Sequence, residues 1–155
     1  MVIQIKEIEM FKNKYVVGFP FSEDRRSILL VRKLRPEWQK GKLNGIGGKT
    51  EPDENPTQAM HRECFEETGL NLEWKRYGLM TGINNDGQYF ECHIFYAYGD
   101  IFSYEQKEDE QLGIYCPDRT AGYGIVENLK WLIPFGTSND GANFISVSYG
   151  VDEEP

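Results

Sequence analysis

Hydrophobic and polar positions divide the chain into short strand-like runs around one helical stretch. Residues 2–11 alternate weakly and read as a strand. Residues 15–21 and 27–33 are denser apolar runs on either side of the polar turn Ser22-Glu23-Asp24-Arg25-Arg26, the pattern of a β-hairpin. Residues 34–44, with Pro36 and Gly41, read as a loop, and residues 45–50 as a glycine-rich turn opening toward a helix. Residues 72–81 and 88–98 are again strand-like, joined through Asn84-Asn85-Asp86-Gly87, where the Asp-Gly pair signals a tight hairpin. Phe90, Cys92, Ile94, Tyr96 and Tyr98 would line one face of the second of these strands. The acidic residues 105–113 read as a loop, residues 124–132 as a last strand, and residues 135–149 fit neither period. Strands outnumber helices, and both hairpin and crossover connections occur. The pattern therefore predicts an α/β fold, a mixed sheet with helix cover, in a single domain of 155 residues.

The helix has clear ends. Asn55 is a good N-cap and Pro56 stands at the first helical position, where its missing N–H costs nothing. Gln58 stands three residues after the cap, as in a capping box, and Gly69 suits the position just past the C-terminus. The expected span is residues 56–68.

Charge sharpens this picture. The chain carries 25 Asp and Glu against 17 Lys and Arg, a net charge of −8. This disfavours binding in a nucleic-acid groove, and it disfavours an anionic membrane surface for the same reason. No apolar run approaches the ~20 residues that span a bilayer, and residues 1–7 lack the pattern of a signal peptide. Cys64, Cys92 and Cys116 are odd in number and widely spaced, so they suit reduced thiols in a cytoplasmic protein. Half of the charge excess lies in residues 48–70 and most of the remainder in the last five residues.

Within the helix, Glu63, Glu66 and Glu67 fall within about 100° of arc. Carboxylates this close repel one another, and near the C-terminal end the helix dipole disfavours them further. A solvated acidic face would be unremarkable, but Gly45, Gly47 and Gly48 stand just upstream, and such glycines let backbone groups approach an ion or a phosphate closely. Hard carboxylate oxygens beside a glycine-rich segment suit Mg²⁺ or Mn²⁺ and metal-assisted phosphoryl chemistry.

These residues resemble a known motif. Gly48, Glu54, Arg62-Glu63, Glu66-Glu67 and Gly69-Leu70, with five residues between the first two and seven before the arginine, resemble the complete Nudix box; the departure is Cys64 at the first aliphatic position. With ~7% usage per residue type, a chance match is on the order of one in a million. The resemblance implies a Nudix-type α/β/α sandwich with one catalytic helix. It also implies hydrolysis of a nucleoside diphosphate linked to some group X. Carried over residue by residue, Glu63 and Glu67 would hold the metal, Glu66 would be a further ligand or help activate water, and Gly47 would offer its carbonyl. Arg62 would pair with Glu54 or Glu63 and orient the site, and Lys49 would face phosphate oxygens. A further carboxylate from outside the box is expected, either Glu127 or the cluster Glu105, Glu108, Asp109 and Glu110; Glu127 is preferred, because a strand places a ligand more rigidly than a loop.

The run Leu43-Asn44-Gly45-Ile46-Gly47-Gly48-Lys49 resembles enzymes that cleave oxidised purine nucleoside triphosphates, which implies Asn44 as a base contact; a looser likeness implies Asp140 as another. Trp38, Tyr89, Phe90 and Phe95 are candidates to stack a base or to fill the core, and His93 is a candidate proton shuttle or a structural histidine. His61 projects away from the carboxylates. The expected reaction is Mg²⁺-dependent conversion of a nucleoside triphosphate to monophosphate and pyrophosphate. Cleavage of a nucleotide sugar or dinucleotide (ADP-ribose, NADH, a dinucleoside polyphosphate) is the alternative, and a nucleotide-sensing module without catalysis is a second. Monomer and homodimer are both open.

Overall fold

Two runs of alternating residues build the centre of the sheet. Strand β1 (Asn13–Phe21) turns back into β2 (Ile28–Arg32), with Phe21 opposite Ile28, which is the expected hairpin. Strands β5 (Lys75–Ile83) and β6 (Tyr89–Tyr98) form the second, and Gly87 in their turn has φ 75°. β6 runs parallel to β1, so the two hairpins join into one mixed sheet. The computed structural model describes residues 13–139, 141 and 143–150; the strand expected over residues 2–11, the acidic tail and Asp140 lie outside them.

Four shorter strands lie around this centre, at positions the sequence pattern hid. Residues 45–50 are not only a turn: β3 (Leu43–Asn44) pairs with β2, and β4 (Ile46–Lys49) pairs antiparallel with β1, Gly47 facing Val17. Residues 105–113 are not one loop either. The acidic part ends at Glu110, and β7 (Gln111–Tyr115) pairs along the whole of β2. Leu112 and Ile114, two apart, both pack into the core. β8 (Ile145–Tyr149) adds to β5 in parallel, giving the order β3-β2-β1-β6-β5-β8.

A helix covers each face. Helix α1 (Pro56–Thr68) has the predicted ends: Asn55 and Gln58 cap each other reciprocally, and Gly69 closes the helix in the left-handed region at φ 73°. It buries Ala59, Met60 and Cys64 against Val16, Leu29, Val31, Ile46, Phe95 and Ala97. The alternate residues Ile28, Leu30, Ile94 and Tyr96 face the other way, onto Leu129, Leu132 and Ile133. Those last three belong to α2 (Leu129–Thr137), which corrects the strand expected over residues 124–132. Only Ile125 bridges, to Leu43. Leu129, Leu132, Ile133 and Gly136 are buried at helical spacing, and Pro134 and Gly136 disguised that period. Tyr77 and Tyr98 pin the helix from below, donating to the carbonyls of Leu132 at 2.7 Å and Gly136 at 2.6 Å. The result is an α/β/α sandwich. Among the described residues no helix is long and apolar enough to cross a membrane.

Candidate active site

The last two turns of α1 carry four charged residues, and one arginine organises three of the carboxylates around it. Arg62 binds Glu54 through both arms of its fork, Nε to Oε2 at 2.7 Å and Nη2 to Oε1 at 2.9 Å. Nη1 donates to Glu63 at 2.9 Å and to Glu66 at 3.2 Å, and Nη2 donates to the Lys49 carbonyl at 3.0 Å. The expected choice between Glu54 and Glu63 is thus resolved as both. A planar fork with five donors suits this work, which a single ammonium cannot do. Glu54 is held below the usual carboxylate range, chiefly by its hydrogen bonds from Arg62, and Arg62 is raised in turn. Glu54 also accepts from the Glu51 N–H at 2.9 Å, which ties the loop before α1 to the helix.

Glu63 and Glu67 stand in a different environment. Burial raises the Glu63 carboxyl against the pull of Arg62. A Cβ on Gly48 would lie 2.5 Å from the Glu63 carboxylate, so only glycine lets that side chain lie against β4. Glu67 is partly buried, and it has no hydrogen-bond or ion-pair partner among the described residues. Its carboxyl is pushed up to about 8, first by burial and then by the charges of Glu63 and Glu108, with Lys33 opposing and Glu110 adding to the rise.

The second acidic segment therefore faces the helix, and Glu127 does not. Glu127 is exposed in the turn before α2, ion-paired to Lys130 at 2.8 Å and held low by it. It lies on no strand, so the reason for preferring it falls. Glu110 is clasped by Lys33 Nζ at 2.9 Å and the Leu34 N–H at 2.6 Å; burial would raise it, but these bonds hold it low. The Glu105 N–H donates to the Thr68 carbonyl at the end of α1, at 2.9 Å. Glu108 is left between these two fixed points, acting on both Glu63 and Glu67. Lys33, which sequence reasoning passed over, is the cation nearest in effect to Glu67; nothing in a lone lysine after a strand signalled it.

The donor set fits a hard divalent cation. All its groups are carboxylate or carbonyl oxygens, and the repulsion that raises Glu67 is what a cation between Glu63, Glu67 and Glu108 would relieve. Among the described residues no three acidic, His or Cys groups are gathered at metal distance, and Glu63 and Glu66 are instead ion-paired to Arg62.

Asn44 stands on β3, partly buried. Its Oδ1 accepts from the Gly45 N–H at 2.8 Å, and its Nδ2 donates to Gln39 Oε1 at 2.9 Å. Lys49 is exposed at the end of β4. Trp38 is 61% exposed, whereas Phe95 is fully buried core. His93 is a structural histidine: its Nδ1 meets Arg76 at 2.8 Å, Glu91 lies 3.5 Å from Nε2, and burial lowers it. One polar group was missed. Asn128, just before α2, donates to the Met80 sulfur at 3.4 Å, while its Oδ1 is buried with no partner. The strand reading of this segment concealed it.

The geometry agrees with what the chain is similar to. The model of the NUDIX domain family matches residues 12–134. The CTP pyrophosphohydrolase of Escherichia coli (strain K12) is 28% identical over 100 residues, covering 64% of this chain and 73% of that protein. Among solved structures, a MutT protein from Bacillus halodurans superposes with a TM-score of 0.66 at 20% identity, covering 91% of this chain and 92% of that one. The NUDIX domain of Shewanella oneidensis NrtR, solved with ADP ribose, gives 0.68 at 14% identity, covering 79% and 84%. These two structures share the fold.

Proposed function

Because the chain belongs to the NUDIX domain family, and is a Nudix hydrolase acting on nucleoside diphosphates linked to a further group, we propose that its substrates are nucleoside triphosphates, oxidised purine forms among them. They are cleaved to nucleoside monophosphate and pyrophosphate, with Mg²⁺ or Mn²⁺. The observation that carries the triphosphate reading is the similarity to a protein named CTP pyrophosphohydrolase, over most of that protein's length.

Glu63 and Glu67 would hold the metal, with Glu66, the Gly47 carbonyl and Glu108 as further oxygen donors. Once bound, the cation supplies charge neutralisation at the phosphoanhydride and makes a water easier to deprotonate. The rest is the work of the chain. Arg62 keeps Glu54, Glu63 and Glu66 in fixed register. Glu66, with a side chain 49% exposed, takes the proton as water attacks phosphorus; the new P–O bond forms, the bridging bond breaks, and pyrophosphate leaves. Lys49 meets the phosphate oxygens. Asn44 reads the base.

A substrate panel with products identified tests this. Ordinary and oxidised nucleoside triphosphates should release pyrophosphate, and chelation should abolish turnover until Mg²⁺ is restored. Preferred cleavage of ADP-ribose to AMP and ribose phosphate would overturn the triphosphate reading. A silent chain with intact nucleotide affinity would favour the sensing module, although a repulsive trio has little use there.

The two downstream acids can be separated by paired variants. Glu108→Gln is expected to lower kcat/KM by about 10–100-fold, a share of the charge stabilisation that the metal site provides. Glu127→Gln should stay within about twofold of wild type, since its ion pair with Lys130 is an exposed one. The opposite ranking would return the role to Glu127.

A further inference from the structure

We propose that Gln106 is a positioning residue: its side-chain amide braces the acidic turn before β7 and thereby holds Glu108 toward the carboxylates of α1. The inference rests on the reading of Glu108 as an oxygen donor to the metal and deepens it.

The turn, residues 105–110, is anchored at both ends. Its first residues lie on the end of α1. The Glu105 N–H donates to the Thr68 carbonyl, and Lys107 Nζ stands 4.9 Å from the centre of the Phe65 ring. A Cβ on Gly69 would touch the Glu105 carboxylate and the Lys107 stem. At the other end Glu110 is clasped by Lys33 and the Leu34 N–H, and β7 begins one residue later on β2. Between these anchors, residues 106–109 make no backbone–backbone hydrogen bond among the described residues. The ion pair of Asp109 with Arg35 joins two side chains that are each 61% exposed, so it adds little. Glu108 thus sits on the part of the turn that the main chain leaves unsupported.

The Gln106 side chain supplies the support. Its Oε1 accepts from the Leu112 N–H at 2.9 Å, and its Nε2 donates to the carbonyls of Glu108 at 2.8 Å and Glu110 at 2.7 Å. A backbone N–H can only donate and a carbonyl can only accept, so these partners settle the orientation of the amide, and turning it over would break all three bonds. Both amide hydrogens are used. The partners are all main-chain groups, so the brace acts on the path of the chain. Leu112 is buried in the core and pairs with Val31 on β2. Through one amide, the backbone of Glu108 is therefore tied to a fixed strand.

This matters because a carboxylate serves a hard cation only from a defined distance, about 2.0–2.6 Å. Glu108 is exposed, and its charge is felt at both Glu63 and Glu67. On a loose turn the same charge would seldom stand where an ion needs it. With the backbone braced, only the side chain remains to be ordered.

The test titrates Mn²⁺ alone into metal-free protein and follows the free ion by its paramagnetic resonance signal. Four proteins are compared: wild type, Gln106→Met, Glu108→Gln and the double variant. Methionine keeps the length of glutamine and removes all three bonds, and Gln106 is exposed, so the core is untouched. Glu108→Gln should weaken Mn²⁺ binding about tenfold, and Gln106→Met by most of that factor. The double variant should bind no more weakly than Glu108→Gln, because the brace then has no carboxylate to place. Amide exchange at Leu112 should quicken in Gln106→Met. If Glu108→Gln weakens binding and Gln106→Met does not, the brace is wrong and the donor stands. If Gln106→Met costs as much in the double variant as alone, it acts through something other than Glu108, and the proposal falls. Unchanged exchange at Leu112 overturns it as well. Wild-type affinity in Glu108→Gln would remove the donor itself, and the inference with it.

Discussion

Glu67→Gln is expected to cut turnover by about a thousandfold and, at the same time, to make the metal-free protein more stable. The first effect is the loss of a charged ligand where the transition state develops charge; a thousandfold corresponds to about 4 kcal/mol. The second follows from the environment of the carboxyl. Its value in the fold is about 8, against an ordinary 4.5, because burial and the charges of Glu63 and Glu108 penalise the ionised form. Between those two values the folded protein binds a proton that the unfolded chain has released. Stability therefore falls as pH rises through that window, and the full penalty is present above about pH 8. Its size is on the order of 2–4 kcal/mol. Glutamine keeps the shape and never ionises. Melting measured in chelator should show the two proteins alike near pH 4.5 and the variant more stable by several degrees at pH 8.5. A wild type that melts higher than the variant at pH 8.5 in chelator would refute the account.

Arg62→Met should be damaging on both counts. It leaves Glu54 without its two-armed partner, frees Glu63 and Glu66 to repel each other, and unties the Lys49 carbonyl. The loss expected is about 2–4 kcal/mol, below the range for a fully buried pair because the arginine side chain is 22% exposed. kcat/KM should fall by about 100–1000-fold, since the carboxylates lose their common anchor. Arg62→Lys should recover little, because one ammonium cannot meet Glu54 twice and reach Glu63 as well. Recovery to within tenfold of wild type would mean that charge alone, and not the fork, holds the site.

What the sequence made legible was local. The ends of α1 were readable because capping is chemistry within four residues, and Asn55, Gln58 and Gly69 act as their types suggest. The hairpins were readable because their turns are short. The arginine and its carboxylates were readable because a motif fixes their spacing. What stayed hidden depended on distant segments. Leu129, Leu132 and Ile133 also fit a strand when read beside Val126 and Trp131, and only the opposite face of the sheet selects the helical period. Glu108 and Glu127 looked alike as acids downstream of the box. The preference for Glu127 rested on a strand that does not exist, whereas Glu108 is placed by β7 pairing with β2 and by the bond from the Glu105 N–H to Thr68.

That tether at Thr68 separates the motif from the site. The box is one continuous stretch of chain, complete by Leu70. The acid that faces it arrives nearly forty residues later, after β5 and β6 have crossed the sheet and returned, on a segment held at Glu110 by a lysine from β2's end and at Glu105 by a carbonyl from α1's end. A fragment ending after β6 would carry every letter of the motif and lack Glu108, Glu110 and β7. Presence of the box therefore certifies a helix with the right side chains, while the acid opposite them is placed by the closed circuit that runs from α1 through the whole sheet and back to α1.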